Sequence, residues 1–113
     1  MLSQERAPLF EALVRHIAGN PAQLHVPGHG QGRVLPEDFR RLGKGGLFAL
    51  DLTELPGLDD LHNPVGPLAR AQELAAALYG ADRSFFLVNG STVGIGALLL
   101  AAVGQGEVIL PRN

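Results

Sequence analysis

The stretch over residues 85–103 constrains this chain more than any other. Phe85-Phe-Leu-Val88 is a short, continuously apolar run, the pattern of a strand buried on both faces. Asn89-Gly-Ser-Thr92 then makes the turn into a helix over about 93–103 that is apolar all round, and hence buried. After Gly104 and Gly106, Val108-Ile-Leu110 starts a second buried strand. Strand, turn, helix, strand is the opening of a parallel sheet, and such sheets need helices on both faces and several strands. Two buried strands and one buried helix cannot cover one another, and no internal repeat supplies partners by stacking. The expected fold class is α/β, incomplete in this chain, as part of a larger domain.

Composition points the same way. Hydrophobic residues make up 46% of the 113, enough for a core. Fifteen glycines and eight prolines are more than a helical bundle of this size would want, and favour a turn-rich chain. Cysteine is absent, which excludes disulfide scaffolds, thiolate metal sites and cysteine nucleophiles. The net charge is -2 without blocks of like charge, so the electrostatic footprint of a nucleic-acid partner is missing. The run over 93–103 is broken by glycines and shorter than the roughly 20 residues a membrane span needs. The first residues lack the basic-then-apolar order of a signal peptide. A soluble, cytoplasmic protein with no membrane partner is expected.

Earlier in the chain the pattern is helices separated by loops. Ser3 is positioned to cap a first helix whose apolar residues Leu9, Phe10, Leu13, Val14 and Ile17 recur at helical spacing. Gly19-Asn20-Pro21 ends it, glycine tolerating the left-handed cap. Pro27 and the alternating glycines 28, 30 and 32 make the following stretch a loop. Pro36 suits the first turn of a short helix ending at Gly43. Residues 50–67 read as irregular, with Pro56, Gly57, Pro64 and Gly66 between acidic residues, a length that is usually functional. Pro67 opens the clearest helix, with Leu68, Ala71, Leu74, Ala75 and Leu78 on one stripe and Gly80 at its end.

Three places carry chemistry. At Asn89-Gly90-Ser91-Thr92, a helix N-terminus offers unpaired N–H groups and a positive dipole end, Gly90 allows close approach, and two hydroxyls add donors for a phosphate. Equally, Ser91 serves merely as the helix cap and Gly90 as the turn. Neither the GK[ST] of a triphosphate loop nor a full GxGxxG spacing is present. The two histidines of His25-Val-Pro-Gly-His29 stand four apart, a metal-ligand spacing on a helix, but Pro27-Gly28 forbids the helix, and a structural or gating role is the better expectation. Asp59-Asp60 beside His62 suits carboxylate–imidazole proton transfer, or else a solvated turn with Asp60 bonding nearby backbone.

In order along the chain, these segments resemble the pyridoxal-phosphate-dependent ornithine/lysine/arginine decarboxylases of the aspartate-aminotransferase fold. The carriers are His25-Val-Pro-Gly-His29 with Gly32, then Asp51-Leu-Thr-Glu54 through Leu58-Asp-Asp-Leu61 and Gly66-Pro67. After them come Ala71 to Leu78, Gly80-Ala-Asp82, and Phe85 to Thr92. Arg112-Asn113 matches the pair that in the family precedes a histidine stacking on the cofactor ring. Two departures stand out: Gly30 and Gln31 replace a frequent lysine, and Gly-Ser-Thr replaces the usual Gly-Thr-Ser, which preserves both hydroxyls.

The resemblance implies the N-terminal part of a three-layer αβα, fold type I domain. Residues 1–49 would form a helical arm with the Pro-Gly-His loop, and residues 50–113 the start of the cofactor-binding domain. It implies pyridoxal 5'-phosphate as cofactor, a small basic amino acid as substrate, decarboxylation to a polyamine-pathway amine, and a homodimer or higher homo-oligomer. Gly90, Ser91 and Thr92 would bind the cofactor phosphate. His25, His29, Asp59, Asp60 and His62 would lie near the active-site entrance or dimer interface. No catalytic residue is expected in the chain itself: the Schiff-base lysine would fall beyond Asn113, and Lys44, the lone lysine, sits in a Gly-rich turn that does not match it. An aminotransferase or carbon–sulfur lyase of the same fold, or a non-enzymatic anion-binding module, remain the alternatives.

Overall fold

A computed structural model describes residues 3–44 and 46–106. The expected strand at Val108-Ile-Leu110 and the pair Arg112-Asn113 lie outside the described residues. The first helix, α1, is Pro8–Ala18. Its start differs from expectation: Pro8 occupies the first helical position, where its fixed φ suits the helix and its missing N–H costs nothing. Ser3 instead accepts the Glu5 N–H at 3.4 Å, while the Glu11 carboxylate accepts the Ala7 N–H at 3.0 Å and pairs with Arg6. At the other end Gly19 stays right-handed, and Asn20, at φ 45°, takes the left-handed position. Asparagine tolerates that region because its short polar side chain bonds locally.

Helix α2 is Glu37–Leu42, ending at Gly43 as expected, with Pro36 standing just before it as the N-cap rather than in its first turn. A single 3-10 turn at Leu47–Ala49 follows, and residues 51–66 are irregular. Helix α3 spans Pro67–Tyr79, opened by Pro67 and closed by Gly80 at φ 65°. Its apolar stripe packs on α1, and the small core consists of Ala12, Leu58, Leu74 and Ala76. Gln4 pins the chain start across this contact, its Nε2 donating to the Leu74 carbonyl at 3.0 Å.

Helix α4 is Gly90–Ala102, beginning three residues earlier than its apolar run suggested. Here the structure departs most from expectation. Among the described residues there is no strand: residues 85–88 run without a ladder, and none of α4 is buried. A strand exists only by bonding to a neighbour, and the described residues offer none beside 85–88. Phe85 is accordingly 72% exposed and Leu100 87%. The total accessible surface, 9037 Å², exceeds the roughly 6,000 Å² of a compact folded chain of this mass. The two apolar segments do meet: a Cβ on Gly94 would collide with Leu87 Cδ1, so glycine there lets residues 85–88 lie against α4.

Candidate functional site

Gly90, Ser91 and Thr92, the candidates for a phosphate, form the first turn of α4. Gly90 adopts φ 74°, a left-handed conformation that costs glycine nothing, and turns the chain into the helix. The N-cap is Asn89, whose side chain makes no capping bond. Ser91 lies inside the first turn, so the alternative in which it caps the helix is not realised. Ser91 and Thr92 are exposed beside first-turn N–H groups that have no intrahelical partner. This donor set, with the positive end of the helix dipole and no side-chain oxygen already in place, fits a phosphate.

Ser91 opens onto a cleft of about 950 Å³ between α4, residues 85–88 and the 61–62 loop. Its polar lining comes from His62, Gln72, Asn89 and Ser91. The structure thus brings His62 to the cleft of Ser91, 29 positions further along the sequence. Gln72 was not singled out in the sequence, and Asn89 stood in the turn motif without a site role of its own. Gln72 sits on the flank of the α3 stripe with no motif to mark it, and Asn89 reads as an ordinary turn residue.

Asp59 and Asp60 do not pair with the His62 imidazole. The Asp59 carboxylate accepts backbone N–H groups from Val65 at 2.9 Å, Gly66 at 2.7 Å and Leu68 at 2.9 Å, with longer bonds from Asp60 and Ala69. Burial works to raise its pKa, but the donors of Val65, Gly66, Asp60 and Ala69 outweigh it and hold the carboxyl at about 2. Asp60 Oδ1 accepts the His62 N–H at 2.7 Å and the Asn63 N–H at 3.3 Å. The backbone-bonding alternative is therefore what forms, and Asp59 serves in addition as the cap of α3. Glu54 joins in, accepting the Leu61 N–H at 3.1 Å.

The two loop histidines do not converge. His29 Nδ1 accepts the Gly32 N–H at 3.0 Å, which leaves Nε2–H to donate to Asp51 Oδ2 at 3.0 Å. Its ring edge meets Phe48, with centroids 5.9 Å apart and planes at 65°. His25 donates Nδ1–H to the Val26 carbonyl at 2.7 Å, and its Nε2 is buried without a partner. Among the described residues no group of three His, Asp or Glu side chains is placed to hold a metal ion. Lys44 lines a separate cleft of about 430 Å³ with Gln31, Arg40, Arg41 and Phe48. No helix among the described residues is long and apolar enough to cross a membrane.

Comparison with known proteins gives this geometry a context. The family model described as Orn/Lys/Arg decarboxylase, major domain, matches residues 7–113. The chain is 44% identical to an arginine decarboxylase of Bacillus anthracis, over 99% of this chain and 23% of the relative. It is 35% identical to a lysine decarboxylase of Pseudomonas aeruginosa, over 91% of this chain and 14% of the relative. An inducible ornithine decarboxylase of Escherichia coli is 30% identical, over 96% and 16% respectively. The chain therefore spans less than a quarter of the length of these relatives. No solved structure matches it.

Proposed function

This chain belongs to the Orn/Lys/Arg decarboxylase family, and from that premise we propose that the full-length protein is a pyridoxal-phosphate-dependent carboxy-lyase. Its substrate is a basic amino acid, arginine, lysine or ornithine, and its product a polyamine-pathway amine. Arginine is the first to test, because identity falls from 44% with a protein named arginine decarboxylase to 35% and 30% with those named for lysine and ornithine. In this reading residues 1–49 are the helical arm with the Pro-Gly-His loop. Residues 50–113 open the cofactor-binding domain, whose three αβα layers cover the apolar faces of residues 85–88 and α4. The protein works in the cytoplasm as a homodimer or higher homo-oligomer.

The observation that carries the reading is the uncapped start of α4, presented by a family member at the place where Gly90, Ser91 and Thr92 stand. Pyridoxal phosphate, when bound, supplies the electron sink for the pair of electrons left by the departing carboxylate. Gly90 lets the backbone approach the phosphate, the first-turn N–H groups and the hydroxyls of Ser91 and Thr92 hold it, and the helix dipole favours its charge. His25 and His62 stand at the active-site entrance or dimer interface. His25 keeps an unused Nε2, and the His62 ring makes no hydrogen bond among the described residues.

The test is to supply the full-length protein with pyridoxal phosphate and each of the three amino acids, following carbon dioxide release and the amine formed. Release from at least one of them is the expected result. Transfer of the amino group with the carboxylate retained, or no turnover of any of the three, would overturn the proposal.

A further inference from the structure

The Pro-Gly-His loop holds an unusual backbone. Gly30, Gln31 and Gly32 follow one another at φ 52°, 58° and 85°. Gln31 is not a glycine, so this conformation is strained and persists only where its surroundings impose it. Backbone bonds inside the loop are long: Gly30 N–H to the Pro27 carbonyl at 3.3 Å, Arg33 to Gly30 at 3.2 Å, Val34 to His29 at 3.4 Å and Leu35 to Gly32 at 3.3 Å. They do not by themselves explain why the left-handed run is kept.

His29 supplies what they lack. Its Nδ1 takes the Gly32 N–H from within the loop, and its Nε2–H reaches Asp51, 22 residues away in the chain, both at 3.0 Å. The ring is mostly covered, at 16% side-chain exposure, and rests edge-on against Phe48. Phe48 in turn closes on Gly32, where a Cβ would stand 3.0 Å from the Phe48 Cβ. Both nitrogens are therefore engaged, and Nδ1 accepts rather than donates, as only a neutral imidazole can. A ring with no nitrogen to spare has nothing to offer a reacting atom.

We propose that His29 is a positioning residue: it clamps residues 27–34 onto the segment ending at Asp51, and it carries no proton in the reaction. The inference rests on the decarboxylase reading for its kinetic consequences, but the clamp has its own readout.

The experiment uses the full-length holoenzyme and three forms: wild type, His29→Ala and His29→Gln. Glutamine retains a donor near the Nε2 position, so it can keep the Asp51 bond while having no ring to titrate. Hydrogen–deuterium exchange of peptides covering residues 28–35 should quicken at least about tenfold in His29→Ala and recover in part in His29→Gln. If kinetics follow, kcat/KM falls roughly 10- to 100-fold in His29→Ala, the scale of a misplaced active-site loop. It should recover mostly in His29→Gln, with both limbs of the pH profile unmoved in either variant. A His29→Gln enzyme as inactive as His29→Ala and missing one limb would make His29 a proton carrier and overturn the proposal. Unchanged exchange in His29→Ala would overturn the clamp. Should wild type decarboxylate nothing, the decarboxylase reading fails, and the exchange measurement still decides the clamp.

Discussion

The carboxylate of Asp59 accepts the Gly66 N–H at 2.7 Å and lies so near that a Cβ on Gly66 would stand 3.4 Å from Asp59 Oδ2. Seven residues of loop are thereby folded back so that one side chain serves the N-terminus of α3, reaching Leu68 and Ala69 as well. Asp59 itself adopts φ 82°, a strained conformation for a residue with a side chain. The five N–H bonds it collects outweigh that strain.

Replacing Asp59 with alanine should therefore cost about 1–2 kcal/mol, the scale of a lost helix cap. Asparagine keeps one acceptor oxygen but turns an N–H donor toward the other N–H groups, so Asp59→Asn should fall near the alanine variant rather than near wild type. Urea denaturation of the full-length protein, read by the transition midpoint, checks both.

Acidity should matter through the same group. The folded-state pKa of Asp59 is depressed to about 2 from an ordinary 3.8. A depressed carboxyl contributes stability that is fully present above the unfolded value and lost as pH falls through the folded one. The gap in stability between wild type and Asp59→Ala should be constant above about pH 5 and narrow between about pH 4 and pH 2. A gap that stays constant down to pH 2 would show that the carboxylate charge is not what caps α3.

Asp59 also marks where the sequence stops being readable. Pro67 and Gly80 announce α3 because each acts at its own position, one by its fixed φ and the other by its tolerance of φ 65°. The apolarity of residues 85–88 was equally legible, but a strand needs a bonded neighbour, and periodicity does not say whether one is there. Ser3 looked like a cap only because Pro8 and Glu11, which set the start of α1, lie further on. The contacts that build the candidate site join distant positions: His29 to Asp51, Asp59 to Leu68, His62 to the cleft of Ser91. Each depends on how a loop closes, which no local pattern encodes. The turn at Gly90 into α4 was legible because a glycine ahead of an apolar helical run is itself a local device.

Gly43 should resist any side chain. Its position is buried, and an added Cβ would run into Cε2 and Cδ2 of the Phe48 ring and stand 3.2 Å from Cζ. Overpacking of this kind costs typically 1–3 kcal/mol. Gly43→Ala should destabilise the protein on that scale, and, because Phe48 supports His29, quicken amide exchange over residues 28–35. Shrinking the ring in Gly43→Ala/Phe48→Leu should recover part of both losses.

The 113-residue chain by itself should behave as a poorly covered fold. Phe85, Val88, Ile95, Leu98 and Leu100 all stand exposed between residues 85 and 100, a load of bare apolar side chains that a stable monomer surface rarely carries. The expected outcome is strong binding of the dye ANS, self-association in sedimentation, and a broad thermal transition. A sharp two-state melt without dye binding would show that α4 and residues 85–88 need no further cover.

The proposed phosphate site yields the sharpest test in the full-length protein. Hydrogen bonds from a hydroxyl to a charged acceptor are worth roughly 1.5–3 kcal/mol, so Ser91→Ala and Thr92→Ala should each raise the Kd for pyridoxal phosphate at least about tenfold. Gly90→Ala places a Cβ on a residue at φ 74°, a penalty of about 1–2 kcal/mol, and should weaken binding by a similar factor. Inorganic phosphate should compete for the wild-type site and lose its effect in the Ser91→Ala/Thr92→Ala double variant. Lys44, which lines a different cleft, provides the control: Lys44→Ala should leave cofactor affinity unchanged, and borohydride reduction of the holoenzyme should leave Lys44 unlabelled. Cofactor retention through dialysis, followed by absorbance, separates these outcomes without reference to turnover. Unaltered affinity in the Ser91→Ala/Thr92→Ala variant would remove the start of α4 from the cofactor site.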